Sequence, residues 1–301
     1  MNCVNVNNIN ESNRNNGFAA YWLCILFYFF ITEIVIVFRD FELLFSGQLW
    51  LNRLTFAGLF LVNIIQGISH KARPVVVLVA TYAGLTLLYK ETALLNQLFY
   101  PAMDSLLIRW DGILFGYQPS LEFSKVMDGA IWSELMFLGY TSYYLMPLIV
   151  IFLIYRSDAS KVEEFGFILI TAFLMYYTIF IFFPAVGPQF YFKSPENQIS
   201  AQGIFGNLVK LIQKNGEAPT AAFPSSHVGI SIIILIWLWN NHRKYVFYFI
   251  PNVLLLVLAT VYIKAHYAVD VLAGILTAPI IYYITIRIFK RIKKGLLWTN
   301  N

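Results

Sequence analysis

Eight long apolar runs, at about 17–38, 54–69, 74–89, 134–155, 165–183, 226–240, 246–263 and 267–289, leave this chain few folds to choose from. With ~1.5 Å of rise per residue, each run can cross, or nearly cross, a hydrocarbon layer of ~30 Å as a helix. In lipid every backbone N–H and C=O must be satisfied internally, so such runs become helices rather than open sheets. The expected fold is therefore all-α, a polytopic membrane bundle of about eight transmembrane helices. Composition agrees: 12% of the residues are charged, against about 25% in ordinary soluble domains.

The formal charge of +5 does not point to nucleic acid, because the basic residues gather at the ends of apolar runs and no nucleic-acid-binding pattern accompanies them. Cys3 and Cys24 form neither a disulfide framework nor a metal-ligand spacing. Residues 1–16, half asparagine and without apolar periodicity, are expected to be a disordered tail. The run that follows is too long for a signal-peptide core, and no small-residue cleavage site follows it; it is expected to stay as the first span. Residues 17–133 thus read as accessory spans, with Glu33 turned toward other helices or lying near the interface.

Between the third and fourth runs, Leu106, Leu107, Trp110, Ile113, Leu114 and Phe115 alternate at helical spacing with Asp104, Arg109 and Asp111. That pattern suits an interfacial helix with its apolar face in lipid and its charges on a solvated face. Prolines and a glycine at 184–188 stop the fifth run, and an amphipathic piece at about 204–212 is placed to cover whatever lies beyond. Residues 290–301 read as a basic cytoplasmic tail. Eight crossings put both termini on one side, and Lys71, Arg73, Arg156, Lys161, Arg243 and Lys244 make that side the cytoplasm. Pro188, His227 and His266 then belong to the exoplasmic face.

Chemistry concentrates in two stretches at the edges of these runs, Phe223-Pro224-Ser225-Ser226-His227 and Lys264-Ala265-His266-Tyr267-Ala268-Val269-Asp270. One run leads away from His227, a polar turn reverses the chain, and a second run returns to His266, so both imidazoles reach the same membrane face. Asp270 stands four residues after His266, on the same face of a helix, where a carboxylate can hold one ring nitrogen and leave the other free.

Three sites fit these residues. A metal site lacks further ligands, since His70 and His242 fall on the opposite face. A triad with Ser225 or Ser226 as nucleophile and His266-Asp270 as base is permitted, but leaves His227 idle. Phosphoryl transfer uses every group: His266 attacks phosphorus, His227 protonates the departing oxygen, and Ser225, Ser226, the helix start and Lys264 bind phosphate oxygens. None of this chemistry calls for a cofactor.

The same residues resemble the type 2 phosphatidic acid phosphatase superfamily. Phe223-Pro224-Ser225-Ser226-His227 is similar to its second motif, Pro-Ser-Gly-His, with Ser226 in the glycine's place. His266 to Gly274, with Asp270 four residues after the histidine, resembles the end of its third motif. The likeness covers about 134–289, which it identifies as the catalytic core, and implies a phospho-histidine intermediate and a lipid phosphate or phospholipid substrate. Ala259 and Thr260 stand where the third motif carries Ser-Arg, and the first motif is reduced to the 184–189 turn, with Gln189 where relatives place a cation. In these losses the chain is similar to the branch that includes fungal inositol phosphorylceramide synthase. The resemblance implies a lipid phosphate phosphatase, or else a phosphotransferase passing a phospho-headgroup to a lipid alcohol, with Lys264 and Gln189 among the phosphate-binding residues.

Overall fold

The computed structural model describes residues 19–64, 72–96, 98–195, 198–199 and 203–298. The expected tail at 1–16 lies outside them. Among the described residues the chain is all helix: α1 (Tyr21–Arg39), α2 (Gly47–Ile64), α3 (Arg73–Leu95), α4 (Asp104–Phe115), α5 (Pro119–Val126), α6 (Ala130–Ser157), α7 (Val162–Phe182), α8 (Pro188–Tyr191), α9 (Ile204–Gly216), α10 (Ser226–Asn241), α11 (Arg243–Tyr262) and α12 (Ala268–Trp298), with short 3-10 turns at Phe41–Phe45 and Ala159–Lys161.

Six of these helices, α1, α3, α6, α7, α11 and α12, are long and apolar enough to cross a membrane. The two remaining expected spans are helical but fall short for different reasons. Helix α2 carries Gln48, Asn52 and Arg53 in its first half, and α10 has only 16 residues. Apolar side chains such as Phe27, Leu54, Phe152, Leu254 and Leu276 stay exposed along the outer faces, as a lipid-facing surface requires. Helix α7, buried along most of its length, packs against α1, α3, α10 and α12 and forms the centre of the bundle.

Two glycines set how closely the site-bearing helices pack. A Cβ at Gly274 of α12 would stand 2.6 Å from the Ser225 carbonyl oxygen at the start of α10, and one at Gly229 would meet the Tyr176 hydroxyl of α7. A larger side chain at Gly274 would push the start of α10 away from α12, and one at Gly229 would displace the Tyr176 ring. Within the accessory helices, Arg53 donates to both Glu91 oxygens at 2.7 and 3.0 Å and to Glu33 at 2.9 Å, with its guanidinium 4.3 Å over the Phe29 ring. Glu33 therefore faces other helices, in a structural ion cluster. The basic residues at 290–294 continue α12, and Lys293 pairs with Glu163 at 2.6 Å.

The interfacial helix is the main correction to the sequence reading. Helix α4 does expose Ile113 and Leu114, and Arg109 is exposed too, but Asp104 and Asp111 are fully buried rather than solvated. Asp104 accepts the Val186 and Gly187 N–H groups and the Tyr267 hydroxyl, all at 2.9 Å. Asp111 accepts the Ala268 and Val269 N–H groups at 3.1 and 2.9 Å, capping the first turn of α12. A buried carboxylate is tolerated when donors surround it, and the open N–H groups at a helix start are such donors.

Candidate active site

Helix α10 begins where Ser225, in extended conformation, accepts the Val228 N–H with its hydroxyl as N-cap. The cap leaves the Ser226 and His227 N–H groups open in the first turn and turns the Ser225 side chain inward, where it is fully buried. The Ser225 N–H donates to the Asp270 carbonyl at 3.0 Å, which ties the 223–227 stretch to the 264–270 stretch. His227 then projects from the opening turn of α10, its ring against three tyrosines of α6, with centroids 4.9 Å from Tyr140, 4.3 Å from Tyr143 and 6.3 Å from Tyr144.

His266 reaches the same point from the loop between α11 and α12. Its Nε2 lies 3.1 Å from His227 Nδ1, so the two imidazoles separated by 39 positions are hydrogen-bonded to each other. Its Nδ1 lies 2.7 Å from the Ala222 carbonyl oxygen and 3.5 Å from Asp270 Oδ2. The orienting partner is therefore the backbone carbonyl. A carbonyl oxygen only accepts, so Nδ1 carries the hydrogen and Nε2 keeps its lone pair toward His227. Ala221, at φ +66°, makes the turn that precedes this carbonyl. Asp270 stands behind as a fully buried carboxyl group, its Oδ2 accepting the Tyr267 N–H at 2.8 Å.

Burial holds the His266 imidazole down at about 4, against the opposing pull of the Ala222 carbonyl and of Glu217. Its proton affinity in the fold is thus below that of the unfolded chain. Stability from keeping it neutral is fully present above its ordinary value near 6.5 and is lost as pH falls toward 4. That loss should amount to roughly 3 kcal/mol. Melting curves in detergent between pH 7 and 4 should show it as a difference between the wild-type protein and His266→Gln, and parallel curves would refute it.

Lys264 and Gln189 are engaged away from the pair. Lys264, at φ +64°, is buried with its Nζ 3.2 and 3.5 Å from the Ser120 and Leu121 carbonyls of α5, and burial lowers its pKa to about 8. Gln189 donates through its backbone N–H to the Lys264 carbonyl and through Nε2 to Glu217 at 2.5 Å, and accepts from Gln213 at 2.7 Å. Ser226, by contrast, lines a cavity together with His227.

That cavity holds about 520 Å³ between α3, α6, α7 and α9, walled by Tyr82, Leu85, Tyr143, Phe173 and Tyr177. Glu217 lines it as well, accepting the Tyr140 hydroxyl at 2.6 Å, and burial raises its carboxyl above the ordinary range. The residues that sequence reasoning missed are Glu217, the α6 tyrosines and the Ala222 carbonyl. Asp104 and Asp111 were seen but given the wrong side; their seven-residue spacing, one helix face, was the available signal.

Residues 108–284, more than half of the chain, match the PAP2 superfamily. The chain belongs to that superfamily. The match begins earlier than the resemblance suggested and takes in most of α4 and all of α5. A PA-phosphatase related-family protein of Dictyostelium discoideum is 25% identical over 169 residues, covering 49% of this chain and 31% of that one. The chain thus spans about a third of the length of that relative. No solved structure matches it. Neither match distinguishes the inositol phosphorylceramide synthase branch.

Proposed function

We propose that this chain is an integral-membrane lipid phosphate phosphatase that works through a phospho-histidine at the exoplasmic face. The observation that carries the reading is the pair itself: His266 Nε2, unprotonated because Nδ1 serves Ala222, faces His227 Nδ1 at 3.1 Å. A phosphate ester entering the cavity displaces that hydrogen bond. The substrate binds as its monoanion and passes its remaining proton to His227; His266 Nε2 then attacks phosphorus and the P–O bond to the lipid breaks, with a proton from the His227 imidazolium passing to the departing alkoxide. His227, now a base, takes a proton from water, whose oxygen attacks phosphorus and breaks the P–N bond, releasing inorganic phosphate. The open N–H groups of Ser226 and His227 meet the equatorial oxygens at the positive end of α10. The cytoplasmic bias of basic residues supports the exoplasmic placement.

A second reading, transfer to a lipid alcohol, is favoured by the aromatic cavity beside His227, which has room for an apolar acceptor as well as for water. Rapid acid-free quenching after mixing with 32P-labelled phosphatidic acid should trap alkali-stable, acid-labile label on the wild-type protein and none on His266→Gln. Turnover without label would point instead to direct attack by water. Added ceramide or diacylglycerol that diverts the label from free phosphate to a new lipid would decide for transfer.

A further inference from the structure

We propose that Lys90 of α3 is the phosphate-binding cation of this site, an inference that rests on the phosphoryl-transfer reading above. Two neutral imidazoles and the Glu217 carboxylate offer no positive charge to an incoming phosphate, and Lys264 is tied to two carbonyls on α5. Lys210 and Lys214 face a different cavity, of about 740 Å³, across the Gln189–Glu217 hydrogen bond. Among the described residues lining the cavity that His227 borders, Lys90 is the one cation, and it is exposed and engaged by no carboxylate or carbonyl of the described chain.

The helix end that carries it is fixed relative to the histidines. Tyr89 donates to the Ala218 carbonyl at 3.4 Å, Asn96 donates to the Thr220 hydroxyl at 2.8 Å, and the Thr92 and Thr220 hydroxyls meet at 3.3 Å. These bonds stitch the end of α3 to the 217–222 segment, which carries Glu217 and the Ala222 carbonyl that orients His266. Ala83 and Thr86, two turns and one turn before Lys90 and exposed on the same side of α3, are small enough to leave the cavity open laterally toward lipid. A substrate chain entering between α3 and α9 brings its phosphate past Lys90 to His227. Residue 90 lies outside the 108–284 segment that matches the superfamily, so the charge that this chain's motifs lack comes from an accessory helix.

The test compares wild-type protein with K90Q, K90R and H266Q, reading orthovanadate binding by titration calorimetry and turnover of dioleoyl phosphatidic acid in mixed micelles. Losing a charged hydrogen bond to phosphate should weaken vanadate binding and raise KM about 10- to 100-fold in K90Q. Its kcat should change much less, and K90R should recover most of the affinity. Unchanged vanadate affinity and KM in K90Q would overturn the role of Lys90 while leaving the histidine chemistry standing. Undiminished turnover in H266Q would overturn that chemistry and this inference with it.

Discussion

His266→Gln should lower kcat/KM for a lipid phosphate by about 10,000-fold or more, because it removes the only lone pair that the Ala222 carbonyl leaves aimed at the reaction centre. The glutamine side chain is close in size to the imidazole and can still donate toward Ala222, so helix packing should survive. His227→Gln should behave differently. Its loss removes the acid for the leaving oxygen, worth about 100- to 10,000-fold for a lipid alkoxide. For 4-nitrophenyl phosphate, whose leaving group needs no proton, the first step should lose far less, and phospho-enzyme should accumulate. Equal losses on both substrates would show that His227 is not the acid, and an active His266→Gln would remove the nucleophile from the scheme.

Asp104→Ala should be the most damaging change outside the histidine pair. It leaves the Val186 and Gly187 N–H groups and the buried Tyr267 hydroxyl without their acceptor. At ~1–3 kcal/mol for each buried donor left unsatisfied, the cost is on the order of 3 kcal/mol or more. The loop at 184–187 and the residue next to His266 lose a common anchor, so activity should fall along with the melting temperature in detergent. Arg109→Ala, exposed on the same helix, should stay within about 0.5 kcal/mol of wild type. If the two variants melted alike, the inward face of α4 would not be holding the site.

Much of this was open to reading from the chain. Apolar run lengths placed the helices, and the return of the chain between His227 and His266 brought those rings together, because a pair of crossings is a simple geometric constraint. Boundaries moved where polar residues extend helices past the apolar run, as Lys90, Glu91 and Thr92 do on α3. The acids of α4 were misassigned because amphipathic periodicity marks two faces but does not say which one meets water. With lipid outside, the apolar face turns out and the carboxylates turn in to find backbone donors. The partners of Lys264 could not be read, since nothing in its neighbourhood in sequence announces the carbonyls of Ser120 and Leu121. Glu217 lies in a segment without periodicity and was invisible for the same reason.

The group that chooses which nitrogen of His266 holds the hydrogen belongs to the main chain. A scan that trims side chains one by one would therefore pass over residue 222 without registering it, since alanine is already there and its oxygen survives any replacement. Only a change that redirects the peptide plane, such as proline at 223 or an ester linkage between 222 and its neighbour, would reach it, and the acid–base behaviour of the histidine pair would then change while the roster of side chains around it stayed intact.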